Sequence, residues 1–244
     1  MNTEKIKRYV NVRTGILYFA IISLLIYTRG FSSDFSLVNL IGGFDNKKGI
    51  FGINLYEIIC WNICVLPPVV ISVLYAMEEF GPLSIFTMIR SKNIRKWYDS
   101  RFYAILLINI MYLFSVILIS SIFRIYTGSG IENMSRLIPM FLLHTTMVSV
   151  VSVTILAKSR NVNAVIIFFA LLEICGAVVV SKSTLVSKYM IVSWGMFKNT
   201  DYFFDNSNLH LIIISLVTIA IIVICYCITL LSLKKKNPTT SSQS

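Results

Sequence analysis

The chain has 244 residues, 56% of them hydrophobic and only 14% charged, with a formal net charge of +11 and a mean hydropathy of +0.77. That apolar content excludes an ordinary soluble domain. Sparse glycine and proline, and apolar runs that do not alternate with period two, exclude a membrane β-barrel. Because hydrocarbon offers no water to satisfy backbone groups, the expected fold is all-α: one polytopic helical bundle.

In chain order, Ile6, Tyr9 and Val10 fall at i, i+3 and i+4 among Lys5, Lys7 and Arg8, which predicts a short helix lying along the membrane surface. Six apolar runs follow, at 14–28, 58–77, 102–123, 137–157, 161–180 and 211–233. A helix rises about 1.5 Å per residue, so about 20 apolar residues cross roughly 30 Å of hydrocarbon. Five runs meet that length. The first is short, but Arg13 and Arg29 flank it and can snorkel to the headgroups. No small-x-small cleavage pattern follows it at Arg29-Gly30-Phe31, so it is expected to stay as a signal anchor. The stretch from Arg29 to Leu55, rich in Gly, Asn, Ser and Phe, reads as a compact outer lip. Within the second run, Pro67-Pro68 remove two backbone donors and predict a bend or local unwinding.

Two connecting segments are unusual. Glu78–Arg101 reads EEFGPLSIFTMIRSKNIRKWYDSR. Gly81 ends the preceding helix and Pro82 suits the first position of a new one, which Leu83–Ile89 continue as a stubby apolar helix. Arg90, Lys92, Arg95 and Lys96 follow, and Trp97 and Tyr98 mark re-entry into the membrane interface. The other segment, Ser181–His210, is too apolar for a solvated loop, and is expected to be re-entrant or interfacial. A seventh span there would carry Lys234–Lys236 across the membrane, against the charge rule.

Lys and Arg distribute as fourteen on the side of the amino terminus and eight on the other when six spans are drawn. This positive-inside bias predicts that both termini are cytoplasmic. Residues 1–233 then form a single transmembrane domain, and 234–244 a basic and polar tail. The excess charge orients the chain in the bilayer and gives no reason to expect nucleic acid as a partner.

Two ionisable residues lie deep in predicted spans: His144, beside Thr145 and Thr146, and Glu173. Insertion scales place the cost of a charged group at such a depth at roughly 2.5–3.5 kcal/mol, so Glu173 should face protein or water. The short loop between the fourth and fifth spans makes their helices neighbours, and a Glu173–His144 pair is open to interhelical glue, a substrate path or a proton relay. Cys60 and Cys64 share a helix face and read as packing, and no His and carboxylate cluster accompanies them to suggest a metal.

The chain has no G-x-x-x-x-G-K-[ST], so it binds no ATP through a P-loop. Intramembrane protease signatures fail too. Glu78-Glu79 lacks the following arginine, because Leu83 occupies that position, and Phe141 and His144 are only three apart. Neither His144 nor His210 closely precedes a cysteine. The expectation is a chain with no catalytic residues and no cofactor of its own.

The whole topology resembles the ABC-2-type permease family: a short inner-face helix, six spans, an inward loop after the second and an apolar outer insertion after the fifth. The local match is Glu79, Gly81, the Leu83–Ile89 run, Arg90, Arg95 and Arg101. Pro82 replaces the usual threonine, and Arg90-Ser91-Lys92 only echoes the usual Pro-x-Ser-Arg turn. The resemblance implies a coupling helix in which Glu79, Gly81, Leu83, Phe86, Ile89, Arg90 and Arg95 engage a separate ABC ATPase subunit that carries the ATP. It also implies a second permease copy or a related permease, and a place in a bacterial plasma membrane. Permeases of this length resemble the membrane subunits of bacteriocin and lantibiotic export or self-immunity systems. The alternatives are a stand-alone immunity or binding protein without ATP coupling, and an intramembrane protease.

Overall fold

The computed structural model describes residues 41–43, 55–80, 93–127, 134–182, 190–196 and 207–235. Five long helices run through them: α1 (Leu55–Glu79), α2 (Ile94–Thr127), α3 (Met134–Ser159), α4 (Val162–Lys182) and α5 (Ser207–Lys235). A five-residue 3-10 helix, Ile191–Gly195, lies between α4 and α5. Each long helix contains a segment long and apolar enough to cross a membrane, and the chain is a helical, multi-pass membrane protein. The predicted first span (14–28), the surface helix before it, and the coupling run Leu83–Ile89 with Gly81 and Arg90 lie outside the described residues.

Local chemistry sets the helix ends. The Asn93 side chain accepts the backbone N–H groups of Arg95 and Lys96 at 3.0 and 3.3 Å and so caps α2. The cap starts α2 eight residues before the predicted span, and Arg95 through Arg101 are helical rather than loop. Between α3 and α4, Arg160 takes a left-handed conformation (φ 57°) and its N–H returns to the Leu156 carbonyl at 2.9 Å. Asn161 then caps α4 by accepting from the Ala164 N–H at 3.1 Å. This two-residue reversal makes α3 and α4 an antiparallel hairpin. The expected unwinding at Pro67-Pro68 does not occur, since α1 stays α-helical through both residues. Loss of two donors affects only the carbonyls one turn earlier, and flanking turns hold the helix.

At the centre of the bundle is α3. Of its membrane-length segment 78% is buried, against 28% for those of α4 and α5. Helices α1, α2 and α4 line α3 along both the half containing Phe141 and the half containing Val150, and α5 joins the latter at Ile222 and Cys225. Buried polar contacts pin it. Ser149 donates to the Asn109 side chain of α2 at 3.3 Å, and Thr154 accepts from Thr229 of α5 at 3.0 Å. Both pairs hold helices together where apolar packing alone gains little over lipid. The outer faces of α4 and α5 present Ile167, Phe168, Leu171, Leu216, Ile224 and Leu231, as a lipid-facing surface requires.

Candidate functional site

The hairpin places His144 about 22 Å and Glu173 about 17 Å above its turn, counted along α3 and α4 at about 1.5 Å per residue. Similar depth on adjacent helices brings them together: His144 Nε2 lies 3.4 Å from Glu173 Oε1. Both side chains are buried, the carboxyl completely. The approach is close enough for an ion pair but lacks hydrogen-bond geometry, and neither imidazole nitrogen has a hydrogen-bond partner among the described residues. Glu173 Oε1 lacks one as well.

The third member is Trp61 of α1, whose indole N–H donates to Glu173 Oε2 at 3.3 Å. Its ring lies 5.8 Å from the imidazole and meets Phe141 edge-on at 5.9 Å. Sequence reasoning missed Trp61. An interfacial tryptophan is ordinary near the end of a span. The available signal was its helical spacing with Ile58 and Val65, which puts it on the face of α1 that enters the core.

The fourth wall comes from the 3-10 helix. Met190–Met196, within the stretch expected to be re-entrant or interfacial, packs against the bundle, and Val192, Gly195 and Met196 are buried. It is seated by close approaches at three glycines. A Cβ on Gly195 would come within 2.5 Å of His144 Cγ, and one on Gly176 of α4 within 2.5 Å of Val192 Cγ2. Gly43 (φ +82°) would meet Met196 at 2.6 Å, and its positive φ itself favours glycine. Ile41–Gly43, part of the predicted outer lip, is thereby buried against this segment.

At the opposite end, the predicted coupling residue Glu79 closes a clasp. Arg101 Nε donates to Glu79 Oε2 at 3.0 Å, and Nη2 lies 3.0 Å from the same oxygen. The guanidinium also donates through Nη1 to the Trp97 carbonyl at 3.0 Å, with Cζ 4.2 Å from the centre of the Trp97 ring. Phe80 stacks edge-on against Trp97 at 5.8 Å. Nearby, Tyr226 of α5 donates to Asp99 and packs against Tyr98 and Phe102. Arg95, also predicted to contact an ATPase, is exposed on the first turn of α2. The clasp ties the ends of α1 and α2 together across residues 81–92, where the remaining predicted coupling residues fall.

Chemically, the two ends differ. The clasp is a charge-paired joint whose hydrogen bonds are made. In the His144–Glu173–Trp61 cluster the Trp61–Oε2 bond is made, but both imidazole nitrogens and Glu173 Oε1 have no hydrogen-bond partner among the described residues. Among the described residues no group of three or more His, Cys, Asp or Glu is placed to hold a metal ion, and none of the five cysteines forms a disulfide. Cys60 and Cys64 are buried in the core, as packing residues would be. No protein-family model, curated protein or solved structure matches this chain.

Proposed function

We propose that this chain is the membrane-spanning permease subunit of a bacterial ABC exporter. It would move an amphipathic or apolar substrate, such as a peptide, with ATP hydrolysed by a separate subunit. The observation that carries this reading is the clasp of Glu79, Arg101 and Trp97. A rotation imposed on residues 81–92 by a docked ATPase passes into α1 and α2 only if the helix ends are rigidly joined, and the clasp joins them. In this reading 14–28 is the first of six spans, both termini and residues 81–92 face the cytoplasm, and a second permease copy completes the pathway in the plasma membrane.

The test is to replace Phe86 and Ile89 with Asp and compare co-purification with the ABC ATPase encoded nearest to this chain, at equal membrane abundance. The expected result is normal insertion with loss of the ATPase, because a coupling helix needs an apolar face to fill its partner's pocket. Full ATPase retention and transport by the double variant would refute ATP coupling. The stand-alone binding or immunity protein is favoured by a different observation, the polar cluster under the Met190–Met196 segment. Absence of any co-purifying ATPase would leave that reading in place.

A further inference from the structure

The buried cluster is poorly built as glue. A hydrogen-bonding group left unsatisfied in hydrocarbon costs several kcal/mol, yet both nitrogens of His144 and Oε1 of Glu173 have no hydrogen-bond partner among the described residues. Interhelical glue elsewhere in this bundle does make its bonds, as the Asn109–Ser149 and Thr154–Thr229 pairs do. Unused polar capacity at a buried site calls for a partner that completes it.

We infer that His144, Glu173 and Trp61 form a binding site for a protonated amine, which enters when Ile191–Met196 withdraws. Trp61 N–H holds Oε2 and leaves Oε1 turned toward the imidazole, so two acceptors, Oε1 and an imidazole nitrogen, converge. An ammonium offers three donors. Two can go to these acceptors, while its charge sits against the indole face, in the manner of cation–π recognition. An anion would meet the carboxyl head-on, and a metal ion would find too few ligands.

The covering segment is bonded within itself. The N–H and the hydroxyl of Ser193 both reach the Met190 carbonyl, at 3.0 and 2.6 Å, and the Met196 N–H returns to Ser193 at 2.9 Å, so the turn satisfies these groups locally. It also packs closely at Gly43, Gly176 and Gly195. Gly195 lies against one side of the His144 ring with no room even for a Cβ, so in this reading an amine reaches the imidazole by displacing the segment. A ligand that binds only the open form has its affinity reduced by the fraction of chains that are open.

The site holds or fails independently of ATP coupling, and its test needs only the full chain in nanodiscs of zwitterionic lipid. The probes are 4-bromobenzylammonium and 4-bromobenzyl alcohol, heavy-atom quenchers of similar shape that differ in charge. The ammonium should quench tryptophan fluorescence with a saturable component that the alcohol lacks, and should raise the melting temperature where the alcohol does not. Trp61→Phe should remove the saturable quenching, and folded Glu173→Gln should weaken binding at least about 10-fold, because its neutral amide offers the ammonium no counter-charge. Val192→Ala, which loosens the seat, should tighten apparent binding about 3- to 10-fold. Equal quenching and equal melting shifts by both probes would overturn the site, and so would undiminished binding by folded Glu173→Gln. Unchanged or weaker binding by Val192→Ala would overturn the displacement of the covering segment. The melting comparison uses the unmodified chain, so it decides the charge requirement even if a variant does not fold.

Discussion

Gly176→Ala tests whether the 3-10 helix is seated as described. The new Cβ would lie 2.5 Å from Val192 Cγ2, 3.1 Å from its Cβ and 3.6 Å from its Cγ1. Val192 is only 2% exposed, so its methyls cannot swing into open space. Overpacking of this kind costs about 1–3 kcal/mol, while replacing a helical glycine with alanine returns about 1 kcal/mol. The net expectation is a loss of up to about 2 kcal/mol, or a fall of up to about 8 °C in melting temperature for a chain of this size. Val192→Ala removes both Cγ atoms and leaves only the 3.1 Å approach, so the double variant should recover most of the loss. The two changes should then be non-additive by about 1 kcal/mol or more. Thermal unfolding of the four proteins in one detergent, followed by monodisperse fraction, gives the cycle directly. If Gly176→Ala alone raises the melting temperature and Val192→Ala adds independently, Val192 does not rest on Gly176 and the account of the covered site is wrong.

Glu173→Gln should leave abundance and melting temperature nearly unchanged, because the amide oxygen still accepts from Trp61. Glu173→Lys should sharply lower membrane abundance, with a fully buried ammonium facing an indole N–H at a depth that costs roughly 2.5–3.5 kcal/mol; normal abundance would refute the packing of this site. Arg101→Met should destabilise by roughly 1–3 kcal/mol, discounted because the guanidinium is still partly in water. Arg101→Lys should fall between, since an ammonium keeps the charge but loses the fork and the stacking on Trp97; equal melting temperatures for all three proteins would remove the clasp. In a cysteine-free background, single cysteines at Lys158 and Lys198 should label from opposite sides of the membrane, and labelling from one side would sink the six-span topology.

Five of the predicted spans were legible because continuous apolar length is a strong signal that packing does not need to refine. The helix ends were less so. Asn93 and Asn161 are recognisable caps in retrospect, but in EEFGPLSIFTMIRSKNIRKWYDSR the dense basic residues pointed to a loop, and the cap within that run was overlooked. The meeting of His144 and Glu173 was open to sequence reasoning because a two-residue turn fixes both helices in register. Trp61 was hidden because it lies 112 residues from Glu173, and nothing local to it announces a buried partner. Least readable was the seating of Met190–Met196. It depends on Gly43, Gly176 and Gly195, each unremarkable alone, and their shared purpose emerges only when three distant segments are brought together.

Those glycines mark where the Met190–Met196 segment packs onto the bundle. In lipid, helices gain little from burying apolar faces against one another, so hydrogen bonds and close small-residue contacts decide which joints are firm. The central helix α3 makes side-chain hydrogen bonds to α2 through Asn109 and Ser149, and to α5 through Thr154 and Thr229. Toward α4 its deepest polar contact is His144 against Glu173, at 3.4 Å without hydrogen-bond geometry. Side-chain hydrogen bonds therefore reinforce the half of α3 nearer its turn with α4, while at the other half the Ile191–Gly195 turn packs closely, with Gly195 against the His144 ring. Under the proposed amine site, the arrival of a ligand at His144 and Glu173 should displace that turn before it separates α3 from α2 or α5, because separating those helices breaks buried hydrogen bonds.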